Sequence, residues 1–521
     1  MATTTIPKPL TIGSKVPWWV LILGVIGLGL AFLLPALRLG VGVSPDSAAY
    51  LGAARNLAAG KGVTVPFGEV IDGPLTQFPP LYPILLAVPG FLGGDPIASA
   101  GVIQALLLAG NTVVIALMIG KIAGTRPWAA AAGAALVTLS PNFLAIHQMA
   151  WAEGLFIWLT LLAILAIADY LQTARPALLW VGAALAGLAT LTRYAGAAFI
   201  GALAVGVVWW GAGKLGQRLG RGLAFTLAAS LPPALWLLYT ALQTGAATSR
   251  QLGLHPPGAE HLRQLITTLA AWLWVPETVA MVVKLGALLL AAAGWVFLLR
   301  RALPGFSLKS PRLELLLGLA ILAYGLFIGA SLTLMDANIP LDQRILFPAW
   351  GCFATLTLGL LAKSLPQGGR GIAVAGVIWL VLTAAACWQD YQWAKGLYTA
   401  GNNYNTPNRA SEQMIAQILA LPEETLIYSN SPEAVYLQTG RSAYRLPRKV
   451  NLMSQQANEA FAQELADVKQ AMMARNGVLI YYSWVKGKTV PTEEELAQAM
   501  PLRALLQTDV GTIYTILQIG N

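Results

Sequence analysis

The sequence predicts a mainly α-helical, polytopic membrane bundle of about 11 spans, followed by a C-terminal α/β domain on the extracytoplasmic side. Three observations carry this. Of 521 residues, 56% are apolar and only 11% charged, against roughly a quarter charged in a soluble domain. Long uncharged runs recur along the first three quarters of the chain. Lys and Arg collect in alternate loops between those runs, as they do on the cytoplasmic side of membrane proteins. A water-soluble globule is thereby excluded. The 52 Gly and 31 Pro show no period, which removes collagen-like and low-complexity classes.

The first run extends from Val16 to Leu37, with Lys8 and Lys15 before it and no small-residue cleavage site after it, the pattern of a retained signal anchor. Further runs cover about 97–120, 127–141, 150–169, 176–192, 194–212, 222–242, 277–299, 313–334, 345–363 and 370–389. Several fall short of the roughly 20 residues that a perpendicular helix needs, so tilted or broken helices are expected.

One set of loops holds Lys8, Lys15, Lys121, Arg126, Arg175, Lys214, Arg218, Arg221, Arg300, Arg301, Lys309, Arg312, Lys363 and Arg370, and is assigned to the cytoplasm. The other face receives the long loop 38–96, the loop near 243–276, the short loop 335–344 and everything from 390 onward. Residues 1–389 form the membrane module and 390–521 the outer domain. The module holds 22 Lys and Arg against 11 Asp and Glu, and the outer domain 11 against 12. The net charge of +10 thus reports orientation and not a nucleic-acid partner. Cys352 and Cys387 stand alone in apolar runs, which leaves no disulfide framework or thiolate metal site.

Of the 11 acids in the membrane module, only Asp169 and Glu314 fall on the cytoplasmic face. Asp46, Glu69, Asp72, Asp95, Glu153, Glu260, Glu277, Asp336 and Asp342 all face outward, which points to an outward-facing acidic site. A transporter places ionisable groups near the midplane, and internal inverted repeats are not visible. Lys284 is the one cation that a helix would carry inward, about 10 Å past Glu277 at ~1.5 Å per residue. It could instead snorkel back to the interface.

From about residue 400 the pattern changes to short apolar strands alternating with helices. TLIYS (425–429), GVLIYYSW (477–484) and GTIYTILQ (511–518) read as strands, while SPEAVYLQTG (431–440) and NEAFAQELADVKQAMMARNG (458–477) read as helices ended by Gly and Asn-Gly. Alternation of this kind suggests a small α/β layer domain. It contains no phosphate loop, glycine fingerprint or nucleophile elbow.

The long outer loop is the candidate for chemistry. VGVSPDSAAYLGAARNLAAGKG (41–62) sets Asp46 immediately after the first span, at the membrane surface. Its structural alternative is an N-cap for a helix beginning at Ser47. FPPLYPILLA (78–87) fits a re-entrant or interfacial helix. Glu153 heads the fourth span, where it could cap or pair. Arg344 could anchor at the interface or pair with Asp342 or Asp336. AWLWVPE (271–277) brings Trp272 and Trp274 to the outer side, as belt residues or as the wall of a lipid groove.

The order and sidedness of SPDSAAY, FPPLYP, HQMAWAEGLF, LTRYAG and DQRILFP over most of the chain resemble the GT-C glycosyltransferases. Within them the chain resembles the bacterial branch similar to protein O-mannosyltransferases and the aminoarabinose transferase of lipid A. The resemblance implies a multi-pass protein of the bacterial plasma membrane with its active site outside. Its donor would be a hexose or pentose on a polyprenyl phosphate, and its acceptor a protein, lipid or glycan modified with inversion. It implies Asp46 as base with Glu153 as a second catalytic carboxylate, Arg193, Arg344 and Lys284 on the donor phosphate, and Tyr50, Tyr82 and Tyr194 lining the donor or acceptor pocket. Many relatives carry paired acids where this chain has only Asp46 between Pro45 and Ser47. A divalent metal, if used, would need Asp46 with Glu153, or the loop HPPGAEH with His255, Glu260 and His261. A lipid or oligosaccharide transporter and a non-catalytic assembly or sensor protein remain as competing readings at this point.

Overall fold

The computed structural model describes residues 17–124, 127–248, 252–254, 256–303, 312–365, 369–451, 456–487 and 489–517. Helix α1 (Trp18–Ala36) leads into the long loop, which folds as α2 (Pro45–Ala58), a short ribbon of β1 (Thr64–Val65) and β2 (Gly73–Pro74), and α3 (Leu81–Phe91). The bundle continues with α4 (Pro96–Ala123), α5 (Pro127–Thr138), α6 (Pro141–Gln148), α7 (Glu153–Thr173), α8 (Pro176–Thr192), α9 (Gly196–Trp210) and α10 (Leu215–Thr244). After α11 (Ala259–Ala271) come α12 (Met281–Ala302), α13 (Leu313–Leu334), α14 (Phe347–Ser364) and α15 (Arg370–Ala400). Every predicted span thus contains a helix. Among the described residues seven helices are long and apolar enough to cross a membrane, and α5 with α6 makes an eighth if the bent pair counts as one. Helices α8 and α9 are apolar but shorter.

Two spans depart from the sequence reading. The run 127–141 breaks, and α5 meets α6 at 62°. Pro141 lacks the N–H needed to continue the first helix, and the Ser140 hydroxyl accepts from the Phe143 amide at 3.3 Å, so Ser-Pro starts a new helix. The last span does not stop at 389 but runs to Ala400. It ends at Gly401, whose φ of +66° lets the chain turn sharply against the Asn405 carbonyl.

Helix α7 is the axis of the bundle, with 67% of its most apolar window buried, against 11% for α12 and α15. The outer face of α10 is a row of exposed leucines (Leu219, Leu223, Leu227, Leu231, Leu235), a surface suited to lipid chains. On α3, Ile84, Val88 and Phe91 form an exposed apolar stripe, while Tyr82, Leu86 and Ala87 are buried. This is the side division of an interfacial helix.

The C-terminal part adds α16 (Glu412–Leu419), β3 (Ile427–Ser429), α17 (Pro432–Thr439), β4 (Tyr444–Arg445), α18 (Phe461–Arg475), β5 (Val478–Tyr482), α19 (Glu493–Ala499), β6 (Leu502–Gln507) and β7 (Gly511–Ile516). The sheet order is β4-β3-β5-β7-β6, with β4, β3 and β5 parallel and β7 and β6 antiparallel to their neighbours. Strand β5 is buried on both faces because its residues alternate. Val478, Ile480 and Tyr482 pack with Met414 and Val435 on one side, and Leu479 and Tyr481 with Val468 and Leu496 on the other. The long loop docks on this domain: the Gly68 amide donates to Ala443 O at 3.1 Å, the Arg445 amide donates to Gly68 O at 2.8 Å, and Phe67 packs on Tyr436 at 5.5 Å.

Candidate active site

The chain leaving α1 is held by main-chain bonds on both sides before it enters α2. The Gly42 amide donates to Gln148 O and the Ala150 amide to Gly42 O, each at 2.9 Å, while the Tyr404 amide donates to Val43 O at 3.2 Å. The turn between α6 and α7, the start of α2 and the first residues after α15 therefore form one unit. The cap of α2 is Ser44, whose Oγ accepts from the Ser47 amide at 3.3 Å. Asp46 is in the first helical turn instead, where the helix dipole favours its charge and its carboxylate is free to reach outward.

That carboxylate meets Arg344, which lies just before α14. Arg344 donates from Nη1 to Asp46 Oδ2 at 2.8 Å and from Nε to Glu153 Oε1 at 2.6 Å. The same Glu153 oxygen receives Arg193, from the turn between α8 and α9. The Arg344 guanidinium also lies 4.3 Å over the Trp151 ring, whose indole N–H donates to Ser44 Oγ at 2.8 Å. Asp46, Glu153, Arg193 and Arg344 thus converge from four segments at one end of the bundle.

The turn that carries Arg193 depends on a close approach: a Cβ on Gly196 would lie 2.6 Å from the backbone of Thr190. Below the cluster, two amides of α4 hold the α6–α7 turn. Gln104 Nε2 donates to Trp151 O at 2.8 Å and to Tyr82 Oη at 2.7 Å. Asn111 Nδ2 donates to Gly154 O at 2.8 Å and to His147 Nε2 at 3.1 Å, while His147 Nδ1–H donates to Phe143 O at 2.8 Å. The amide N–H donors of Gln104 and Asn111 and both ring nitrogens of His147 are engaged in these bonds, which hold the entry of α7 and hence Glu153.

The electrostatics follow from burial. The Glu153 side chain is 1% exposed, and its single charge lets two guanidinium groups sit close together. Burial is the largest influence on the Arg193 cation and opposes it, as does the nearby Arg344, but the pull of Glu153 together with Tyr50 and Tyr324 prevails and its pKa rises. For Arg344 too, burial is overcome, here by Glu153 and then Asp46, and the shift is upward. The Tyr50 phenol, one turn along α2 from Asp46, is pushed up by burial and feels Arg193, Asp46, Glu153 and Arg344 together. Its ring meets Tyr82 edge-on at 5.2 Å. Tyr194 follows Arg193 in the same turn. Tyr50 and Tyr82, both fully buried, thus lie beside the cluster, and Tyr194 is the chain neighbour of Arg193.

Other predicted residues lie elsewhere. Lys284 does not join the arginines: its ammonium donates to Glu277 O at 2.8 Å and Thr267 Oγ1 at 3.2 Å, tying α12 to α11 and the loop between them. His261 caps α11, its Nδ1 accepting from the Gly258 amide at 3.2 Å and its Nε2–H donating to Ala337 O at 3.3 Å. Both ring nitrogens are used, and Glu260 faces Arg263 at 3.8 Å. His255 lies outside the described residues. Among the described residues no three His, Cys, Asp or Glu side chains group as metal ligands. Arg344 does not pair with Asp342, whose carboxylate accepts from the Ile345 amide at 2.8 Å. Asp95 caps α4 and takes two hydrogen bonds from Arg55, and Asp72 pairs with Lys61 and Asn56, so these acids shape the long loop. Trp272 packs against Phe353 and is partly buried in the bundle.

Sequence reasoning missed Trp151, Gln104, Asn111 and His147. Trp151 was visible as an aromatic two residues before Glu153 in HQMAWAEG. The two amides were visible as isolated polar residues seven apart on one otherwise apolar helix.

Solved structures share this architecture. The crystal structure of ArnT from Cupriavidus metallidurans bound to undecaprenyl phosphate matches with a TM-score of 0.62 at 15% identity, over 96% of this chain and 98% of that one. Its apo state matches with a TM-score of 0.59 at 15% identity, over 96% and 97%. The apo oligosaccharyltransferase of Archaeoglobus fulgidus matches with a TM-score of 0.53 at 12% identity, over 97% and 75%. No protein-family model and no curated protein sequence matches the chain. The shared fold is the GT-C fold: a bundle of membrane helices with a sheet-containing C-terminal part.

Proposed function

We propose that the chain is an integral-membrane glycosyltransferase of the bacterial plasma membrane, moving a hexosyl or pentosyl group from a polyprenyl phosphate to an acceptor on the extracytoplasmic face. The observation that carries this reading is the bridge made by Arg344 between Asp46 and Glu153, with Arg193 on the same Glu153 oxygen. The fold supports it, because ArnT, which shares that fold, has been crystallised with undecaprenyl phosphate.

The chemistry suits these groups. A bond forms between the acceptor hydroxyl oxygen and the anomeric carbon as the bond from that carbon to the phosphate oxygen breaks on the opposite side, with inversion. The hydroxyl proton passes to Asp46, and the phosphate leaves with the electron pair. One negative charge therefore moves from Asp46 to the phosphate, and a guanidinium that touches Asp46 and is backed by Glu153 is placed to follow it. Glu153 keeps Arg193 and Arg344 adjacent before the phosphate arrives, so little reorganisation is needed at the moment of reaction. Trp151 fixes the plane of the Arg344 fork. Lys284 has no part in this scheme.

The test is transfer by the purified full chain in nanodiscs supplied with a labelled polyprenyl-phosphate sugar and an envelope extract. Label is expected in an acceptor, with free polyprenyl phosphate released in equal amount. Passage of the intact lipid across proteoliposomes, with no label transferred, would overturn the reading in favour of a transporter.

A further inference from the structure

Pro45, the residue before Asp46, also lines a second cavity of about 300 Å³ that is otherwise walled by the C-terminal domain. A volume of this order suits a small carbohydrate. Its lining holds four cations, Arg409, Arg445, Arg448 and Lys486, and one carboxylate, Glu433. Both oxygens of that carboxylate already have a partner: Arg445 donates to Oε2 at 2.9 Å and the Tyr404 hydroxyl donates to Oε1 at 2.8 Å. Among the described residues no carboxylate lies within ion-pair distance of Arg409, Arg448 or Lys486. Such clustering is unexpected by chance in a domain with 11 basic and 12 acidic residues.

Two further features fit an absent anion. Burial and then Arg445 push the Arg448 guanidinium down to about 10, the signature of a cation short of counter-charge. Trp484 offers an aromatic face already shared with Arg409, 4.8 Å from the ring centre, and its buried indole N–H has no hydrogen-bond partner among the described residues. An unpaired buried donor costs free energy that a ligand acceptor atom would recover.

We propose that this cleft is a binding subsite for an oxyanion, a phosphate or carboxylate, carried on a carbohydrate. Arg448 and Lys486 hold the anion and Trp484 meets the sugar. Because Pro45 joins the cleft to Asp46, the occupant is the acceptor. That last step rests on the transferase reading above, whereas oxyanion binding does not.

Calorimetry on the full chain in detergent separates the alternatives, with glucose 1-phosphate, glucuronate, methyl glucoside and inorganic phosphate as probes. The two anionic sugars are expected to bind, and methyl glucoside to bind at least about tenfold more weakly. K486Q and R448Q should each weaken the anionic sugars about tenfold, while R448K retains most binding. Lys486 is exposed, so K486Q reads the charge without disturbing the fold. W484A should weaken the sugar anions more than inorganic phosphate. R344M should leave glucose 1-phosphate binding intact, because that probe would then occupy the cleft and not the membrane-side arginines. Loss of binding in R344M with none in K486Q overturns the proposal. Inorganic phosphate binding as tightly as glucose 1-phosphate, indifferent to W484A, overturns the carbohydrate part by identifying a free-phosphate site. Failure of sugar transfer with cleft binding intact would count against the transferase reading alone.

Discussion

Replacing Arg344 by Met removes the guanidinium while keeping most of the stem, and it tests whether this residue is the hub of the site. Its contact with Asp46, a carboxylate 30% exposed, is partly screened and contributes about 1 kcal/mol. Its contact with the buried Glu153 contributes more, but Arg193 remains to neutralise that carboxylate, so the loss is about 2 kcal/mol and not the 3–5 kcal/mol of a fully orphaned buried charge. The stack on Trp151 is coupled to both, which puts R344M at about 3 kcal/mol less stable as a unit. In nanodiscs this reads as a lower thermal midpoint. Under the proposed function the loss for catalysis is larger, about 10²–10³ in kcat, because the same group would stabilise the departing phosphate. R344K separates the two effects: a single ammonium replaces the charge but cannot fork to two carboxylates or stack flat, so it should restore stability in part and kcat by less than tenfold. Wild-type kcat in R344M, or full recovery of both quantities in R344K, would refute the reasoning.

Further outcomes follow from single residues. Gly196→Ala forces a Cβ against the Thr190 backbone and must displace the turn that carries Arg193, so transfer should fall at least about tenfold with the protein still folded. Steady-state kinetics beside a melting curve check this. Lys284→Met should lower the thermal midpoint, through loss of its ties to Glu277 O and Thr267, and leave kcat/KM within about twofold. Burial opposes ionisation of Asp95, but the hydrogen bonds and charge of Arg55, together with the amides of Ala98 and Ile97, prevail and hold its pKa below the usual carboxylate value. Because the folded value is depressed, its contribution to stability is full above about pH 4 and is lost as pH falls through the folded value. Unfolding midpoints measured from pH 6 downward should therefore drop less steeply in R55Q than in the wild type.

What the sequence made legible was whatever depends on local pattern. Each predicted apolar run contains a helix, although nearly all of α6 and the whole of α11 lie outside those runs, and Lys and Arg placed Asp46, Glu153, Arg193 and Arg344 near one surface. In the C-terminal domain β5 and α17 were readable because VLIYY is uniformly apolar and Ser-Pro opens a helix. Strand β6, LRALLQ, was not: it is an edge strand with mostly exposed side chains of helical preference, and only pairing with β7 makes it extended. The break between α5 and α6 hides within an apolar run. Lys284 misled because an isolated cation on a membrane helix looks functional, whereas here a main-chain carbonyl and a hydroxyl satisfy it. Which outer acids belong to the site depended on contacts between residues nearly two hundred or more positions apart. Arg344 reaches Asp46 and Glu153, while Asp72 and Asp95 are absorbed by Lys61 and Arg55.

The central claim is that Asp46 removes the acceptor proton while Arg193 and Arg344 hold the phosphate. Its most direct test is D46N in a single-turnover transfer assay with labelled polyprenyl-phosphate sugar and saturating acceptor extract, donor binding being measured in parallel. Donor affinity is expected within about threefold of wild type, with transfer slowed by at least about 10². Transfer by D46N at the wild-type rate would contradict it.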